Sequence, residues 1–411
     1  MKILAVTLRY PPYVAGGYER TTRDAVEGLR ERGHEVAVLA GRGARLAGIP
    51  GVLPWLEPPL DGEEDPFQRA LRAGNAERFR LHFFRPANHR AAAQALGAVR
   101  PDVVLFFNLG LVSLAPLLAF RLRGIPTLGY VGDPWPLNHW VRLWREDAAA
   151  AAAKPHRLIA LERAWRSFRD TVGLGPLCAC SDYLRRILVA DGIPAEDLAV
   201  VPPNLQPEMA ELARAARPRA RETGEPLRVV CASSLWEGKG QAVLVEAAAR
   251  VREGGVPIEL VLAGDGEAGF RARLGELAAA RGLAGAVRFT GRLELAELSR
   301  EMAAAHVLAM PSLWGEPFGL ATVEGMAHGL AVVASDAGAS PELVADGVDG
   351  LLAPAGDAAA LAAALARLAG DETLRRELGR RGRTRAGEGF SRAAFAARLE
   401  AALSAAGGGA G

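Results

Sequence analysis

The stretch WGEPFGLATVEGMAHG, Trp314 to Gly329, follows an apolar run, His306 to Met310, that reads as a buried strand. Between the two lie Pro311 and Ser312, and after Pro317 the chain becomes helical near Gly319. A strand that turns through proline and glycine into a helix is the repeating step of an α/β sheet. Two carboxylates stand eight positions apart, Glu316 in the turn and Glu324 in the second turn of the helix. A helix start presents unpaired backbone N–H groups and the positive end of the dipole, which suits a phosphate. Phosphate-binding amides flanked by two carboxylates that accept from hydroxyls fit a sugar joined to a diphosphate and a ribose. On these residues alone a plainer reading stays open, in which one acid complements the dipole and the other is solvated.

Outward from this stretch, Ala331 to Asp336 reads as the next strand and its turn, and Pro341-Glu342-Leu343-Val344 opens a short helix. Asp346 to Gly350 is a turn, and Pro354 to Asp357 opens another helix. These turn signals, in this order over about forty residues, resemble the Glu-x7-Glu signature of family four glycosyltransferases, retaining enzymes of the GT-B fold. The resemblance implies an α/β chain of two Rossmann-like, doubly wound domains facing across a cleft. It also implies transfer of a sugar from a nucleotide diphosphate sugar to an acceptor hydroxyl, with retention of configuration. No metal and no cofactor besides the nucleotide-sugar co-substrate is implied. Glu316 would hydrogen-bond the sugar and Glu324 the ribose hydroxyls. Amides near Phe318, Gly319 and Leu320, together with Lys239, would stabilise charge growing on the leaving diphosphate.

The first half opens as a doubly wound sheet does. Lys2 to Thr7 reads as a central strand, a Gly16-Gly17 turn leads into a helix to about Arg32, and Glu35 to Ala40 is a second strand. Family members carry a similar double glycine facing the donor diphosphate and the acceptor; an ordinary turn is the alternative. Gly41 to Asp65 has no clear period and reads as a long loop. Phe67 to Ala98 reads as helical, with Phe67, Phe79, Phe83 and Phe84 among arginines. Such a face packs on a sheet or touches a lipid surface or anionic acceptor. Strands at Asp102–Phe107 and Thr127–Val131 lead to Gly132-Asp133, where the family often has His-Asp. Asp133 is retained and would orient the sugar or acceptor; His139 and His156 match no motif.

An alanine run at Ala148–Ala153, an arginine-rich helix at Arg157–Asp170 and a strand at Leu198–Val201 complete the first half. Pro203-Asn204 match the family's interdomain turn, while Leu205, Gln206 and Pro207 depart from it. The polar, basic stretch 209–226 marks a boundary, which predicts an acceptor domain at 1–205, a donor domain at 222–390, and a last helix in 391–411 that packs back on the first domain.

The second half begins with a strand at Leu227–Cys231 and reaches Lys239 at a helix start. Lysine there holds phosphate as a point charge. The family's companion arginine is Ser234 here, so Arg20, from the facing domain, is the candidate substitute. Gly264, Gly266 and Gly269 match the GxGxxG dinucleotide fingerprint. Asp265 and Glu267 would put negative charge where a pyrophosphate should sit. The letters also resemble the family's Gly-Asp-Gly loop beside the donor base.

Composition narrows the classes further. A chain of 411 residues predicts two domains, and 50% hydrophobic residues can fill two cores. A net charge of +2 points away from nucleic acid. Only Lys2, Lys154 and Lys239 among the 49 basic residues are lysines. Cys178, Cys180 and Cys231 form no CxxC pair, which fits a reducing cytoplasm. The N-terminal apolar run is too short for a signal peptide, and no run is long enough to span a bilayer. Contact with the inner face of a membrane stays open. The expected partners are a nucleotide-sugar donor and a glycan, lipid-linked or small-molecule acceptor, in cell-envelope polysaccharide or glycoconjugate synthesis. The competing classes are a GT-B protein that binds without transfer, an epimerase or phosphorylase on that scaffold, and a nicotinamide dehydrogenase.

Overall fold

The computed structural model describes residues 1–14, 16–57, 60–61, 85–109, 112–135, 163, 173–222 and 224–408. The chain divides into two compact units, Met1–Pro203 with Phe395–Gly411, and Asn204–Ala394. The four phenylalanines at 67–84, the segments 148–153 and 157–170 apart from Arg163, and both His139 and His156 lie outside the described residues.

Among the described residues of the first unit, seven strands form one sheet: β1 Lys2–Val6, β2 Glu35–Gly41, β3 Val52–Leu56, β4 Val103–Phe106, β5 Thr127–Val131, β6 Leu177–Ala179 and β7 Leu198–Val200. The order is β3-β2-β1-β4-β5-β6-β7, and every pair is parallel. Parallel sheets are covered on both faces, so their central strands are unbroken apolar runs. Ile3 to Val6 and Val103 to Phe106 are accordingly no more than 1% exposed. The stretch 41–65 is not one loop as its composition predicts. It contains β3, which pairs Val38 with Val52 and Leu39 with Leu53. Pro54 masks the strand in sequence, and the structure tolerates it because β3 is an edge that need not donate on its outer side.

The helix Gly17–Glu31 buries Ala25, Val26 and Leu29 on this sheet, and Gly16 N–H donates to Glu19 Oε2 at 2.8 Å at its start. The last helix, Arg392–Gly408, buries Phe395, Ala396, Leu399 and Leu403 on one stripe. Phe395 meets Tyr130 edge-on at 5.5 Å, and Glu400 reaches His34 at 2.8 Å and Arg32.

In the second unit β8 Leu227–Ala232, β9 Ile258–Ala263, β10 Val287–Gly291, β11 Val307–Met310, β12 Ala331–Ser335 and β13 Leu351–Ala353 form a parallel sheet ordered β10-β9-β8-β11-β12-β13. Val229, Leu260, Val307 and Val333 face one core from this sheet, shared with buried residues of the helices Gln241–Glu253 and Ala358–Gly370. The polar stretch 209–226 begins inside a helix, Pro207–Ala215, anchored by buried Met209 and Ala213. No helix among the described residues is long and apolar enough to cross a membrane.

Candidate functional site

In a doubly wound sheet the strand order reverses at one point, and the loops beyond the carboxyl ends there diverge to leave a crevice. In the second unit that point lies between β8 and β11, paired through Val229–Val307 and Val230–Leu308. The loops leaving these strands, 233–240 and 311–319, carry Lys239 and Glu316.

Close backbone packing joins the two loops. Leu313 and Trp314 N–H both donate to Gly238 O, at 2.8 and 3.2 Å. Gly240 has φ +70°, and a Cβ there would lie 1.9 Å from Pro311 O. Lys239, in the 3-10 turn Glu237–Lys239, is thereby carried to Glu316, with Nζ 3.0 Å from Oε1 and side chains 14% and 10% exposed. Ser312 Oγ donates to the same Oε1, and Ser335 Oγ donates to Ser312 O at 2.6 Å. Glu316 O accepts from Ala339 N at 2.9 Å, and a Cβ on Gly338 would come within 2.3 Å of Glu316 N. Three strand-end loops therefore hold one carboxylate. Lys239 Nζ also stands 5.5 Å from the Trp314 ring centroid, and the Trp314 ring meets Trp236 at 5.6 Å.

Glu316 precedes the helix Leu320–Ala327, whose N-cap is Gly319 at φ +101° with no side-chain cap. Only glycine takes that conformation without strain. The helix lies against the sheet so closely that a Cβ on Gly325 would be 2.4 Å from Leu308 Cδ2. Glu324, 8% exposed, sits in its second turn. The Glu324 carbonyl accepts from His328 Nδ1 at 2.7 Å, and Ser299 Oγ donates to His328 Nε2 at 2.8 Å. Burial holds the His328 ring below its ordinary pKa, so it is neutral near pH 7. The Phe318 side chain is 7% exposed and packs edge-on to Phe390 at 5.8 Å. What residue 318 offers at the helix mouth is therefore its backbone.

The other residues singled out in this unit sit in adjoining loops. Ser234 is exposed, and its carbonyl accepts from Gln241 Nε2 at 2.8 Å. A Cβ on Gly264 would lie 2.0 Å from Ser233 O, and one on Gly266 2.0 Å from Leu235 O. These two glycines let the loop after β9 run against the loop after β8, where Leu235 N–H donates to Asp265 O at 2.9 Å. In a dinucleotide fingerprint the third glycine permits close helix–strand packing. At Gly269 a Cβ would meet only the ends of the Arg273 and Glu267 side chains, at 3.7 and 4.0 Å. Packing here makes no such demand.

In the first unit the order reverses between β1 and β4. Gly16, Gly17 and half-buried Arg20 stand at the start of the helix that follows β1. A Cβ on Gly16 would meet nothing within 4 Å, so packing does not demand glycine there. Asp133 follows β5, and it accepts from Asn108 Nδ2 at 3.3 Å and from Trp135 N at 3.0 Å. Tyr18 fills the space beside Gly132: a Cβ there would be 2.9 Å from its Cε2. Its hydroxyl donates to Tyr130 O at 2.7 Å and accepts from Gly132 N at 3.3 Å. Burial, then the Asp133 charge, hold that phenol well above its ordinary pKa. A ring thus stands where the family's histidine would project.

Sequence reasoning missed Ser312, Gly338, Asn108 and Tyr18. Ser312 left a signal, four residues before Glu316 in the same turn. The others act through space and left none.

Residues 16–204 match the family model described as glycosyl transferase 4-like domain, and residues 226–371 the one described as glycosyl transferases group 1. The chain is 35% identical over 191 residues to the amylovoran biosynthesis glycosyltransferase AmsK of Erwinia amylovora, covering 45% of each chain. It is 40% identical over 138 residues to a phosphatidyl-myo-inositol mannosyltransferase of Mycobacterium leprae, covering 33% of this chain and 35% of the other. The alignments thus span less than half the length of these curated relatives. Among solved structures, Anabaena HepE in complex with UDP and glucose superposes with a TM-score of 0.67 at 21% identity, over 98% of this chain and 100% of that one. The chain has the GT-B architecture of two Rossmann-like domains, its first half matching the model of a glycosyl transferase 4-like domain and its second half that of group 1 glycosyl transferases.

Proposed function

We propose that this chain transfers a sugar from a nucleotide diphosphate sugar to an acceptor hydroxyl, with retention of configuration and without a metal, in the synthesis of an envelope polysaccharide or glycolipid. The observation that carries the reading is the Lys239–Glu316 pair, 3.0 Å apart at the uncapped mouth of the helix Leu320–Ala327. A cation, a helix N-terminus and a carboxylate gathered at a strand-order reversal match the three parts of a sugar diphosphate. In this reading the donor splits the pair. Lys239 and the amides of Phe318, Gly319 and Leu320 turn to the diphosphate, while Glu316 accepts from a sugar hydroxyl. Glu324 accepts from the ribose, and Asp133 orients the sugar or acceptor. As the bond from the anomeric carbon to the diphosphate oxygen breaks, charge grows on that oxygen beside Lys239. The acceptor oxygen bonds the same carbon on the same face, and its proton leaves with the diphosphate.

A Cβ on Gly16 would meet nothing within 4 Å, so the backbone at the start of the first helix is open to such a ligand, and Arg20 is the candidate second cation. The AmsK and mannosyltransferase relatives support a glycan or lipid-linked acceptor, and UDP bound to HepE supports a nucleotide donor. The test is a thermal-shift and transfer screen of the full chain across nucleoside diphosphate sugars. One donor should raise the unfolding temperature and yield a product whose anomeric configuration, read by NMR coupling constants, equals that of the donor. No stabilisation and no turnover with any donor would overturn the reading, and an inverted product would overturn retention.

A further inference from the structure

The second unit carries a cavity of about 420 Å³ at the end of its sheet opposite Lys239 and Glu316. His306 enters β11 where Pro311 leaves it, so the two stand about 16 Å apart at the usual strand rise. The walls are cationic. Arg217, Arg219, Arg375, Arg376, Arg380 and Arg383 line the cavity, and among the described residues no carboxylate does. Three carboxylates lie against those arginines: Glu225 on Arg219 at 2.6 Å, Glu372 on Arg375 and Arg376, and Glu377 on Arg380 at 2.8 Å. Six guanidiniums against three carboxylates leave cations in excess, in one concave place.

An independent observation comes from His306, which also lines the cavity and is 3% exposed. Its Nδ1 accepts from Arg228 N at 3.0 Å, so Nε2 carries the ring proton. Nε2 has no hydrogen-bond partner among the described residues, and the carboxylate oxygen facing it, on Glu225, is 3.9 Å away. A buried donor without a partner is costly, and native structures rarely leave one. The surroundings also register the excess charge. Burial first, and then the Arg375 cation, push the His306 ring down to about 4. Desolvation lowers Arg375 as well, and Arg221 and Arg376 add to the effect. The ring is therefore neutral near pH 7, a donor among cations that repel one another.

From this geometry we propose that the cavity is an anion site for clustered phosphate oxygens, separate from the site at Lys239 and Glu316. Guanidiniums bind phosphate bidentately, and His306 Nε2–H supplies the inner donor. The phosphate could be carried by a soluble polyphosphate or by an anionic lipid headgroup; the chemistry recognised is the same.

The test uses the full chain labelled with 15N-histidine, the His306 ring resonance being assigned by its loss in His306→Gln. One arm titrates tripolyphosphate. The other adds phosphatidylglycerol vesicles, with phosphatidylcholine vesicles as control, and measures co-sedimentation. The comparison is the double variant Arg217→Ser/Arg380→Ser, at exposed positions where substitution should leave the unfolding temperature near wild type. We expect tripolyphosphate to move the His306 Nε2 resonance saturably, and the double variant to bind on the order of tenfold more weakly. Sedimentation with phosphatidylglycerol alone, lost in the double variant, would support the site and assign it to a headgroup. A His306 resonance unmoved by tripolyphosphate, together with no sedimentation specific to phosphatidylglycerol, would overturn the proposal, as would binding unchanged in the double variant. Because the readout is the His306 ring, binding of tripolyphosphate at Lys239 cannot imitate it.

Discussion

Lys239 and Glu316 each explain why the other is there. A carboxylate 10% exposed and an ammonium 14% exposed are tolerated because they lie 3.0 Å apart, with Ser312 on the same oxygen. Removing the lysine leaves an acid without its cation and, in the proposed reaction, a leaving group without its counter-charge. Lys239→Ala should lower turnover about a hundredfold or more, the usual effect of losing one charge-stabilising donor. Initial rates at saturating donor would measure it. Glu324→Ala should act differently, raising the donor KM by roughly tenfold while kcat changes less, since the ribose hydrogen bond proposed for it would be made in both ground and transition states. Ser312 is a positioning residue, tied to Glu316 on one side and to Ser335 on the other. Ser312→Ala should reduce kcat by roughly tenfold with the donor KM little changed, and Ser312→Thr should recover part of the loss. Equal donor affinity and turnover in all of these variants would remove the site from this loop.

At the scale of elements, the site depends on helices that approach the sheet and each other more closely than any side chain allows. The helix Glu372–Gly389 crosses the turn after Leu320–Ala327, where a Cβ on Gly379 would lie 2.1 Å from Gly329 O. The obstacle is backbone, which cannot swing aside. Gly379→Ala should therefore destabilise the second unit by about 1–3 kcal/mol despite its better helix propensity. Gly387, in the same helix, has nothing within 4 Å of its Cβ position. Gly387→Ala should stabilise by about 0.5–1 kcal/mol. Opposite shifts of the urea midpoint would distinguish packing from propensity, and equal shifts would refute the packing argument.

At the scale of the whole molecule, stability responds to pH through buried imidazoles. The folded chain holds His306 at about 4, while an unfolded histidine protonates near its ordinary value of 6.5. The unfolded state therefore binds the proton first as pH falls. This ring's contribution is fully present above about 6.5, declines as pH falls towards about 4, and changes no further below that. Its size is bounded at roughly 3 kcal/mol, the free energy of the shift. His328 is displaced in the same direction and adds to the trend. Chemical denaturation between about pH 7 and pH 4 should show a shallower decline in His306→Gln than in the wild type. Parallel curves would mean that the ring is solvated in the folded chain.

Sequence alone was enough to read the alternation of strands and helices. Fully buried parallel strands must be apolar throughout, and the turns between them require Gly, Pro or Asp at specific places, as at Gly319 and Asp357. Glu316 and Lys239 were legible as candidates for the same reason, since they occupy short loops that follow such strands, while Glu324 was legible by its spacing from Glu316 within the helix Leu320–Ala327. The edge strand β3 was not legible, because Pro54 and sparse burial erase its pattern. Other features existed only once the chain was folded. The contact of Lys239 with Glu316, the Tyr18 ring beside Gly132, and the arginines collected around His306 all join residues from separate parts of the chain. Arg383 bonds the Ala216 carbonyl across 167 positions. Strand order decides which loops meet, and strand order is set by the packing of whole layers rather than by any local run of residues.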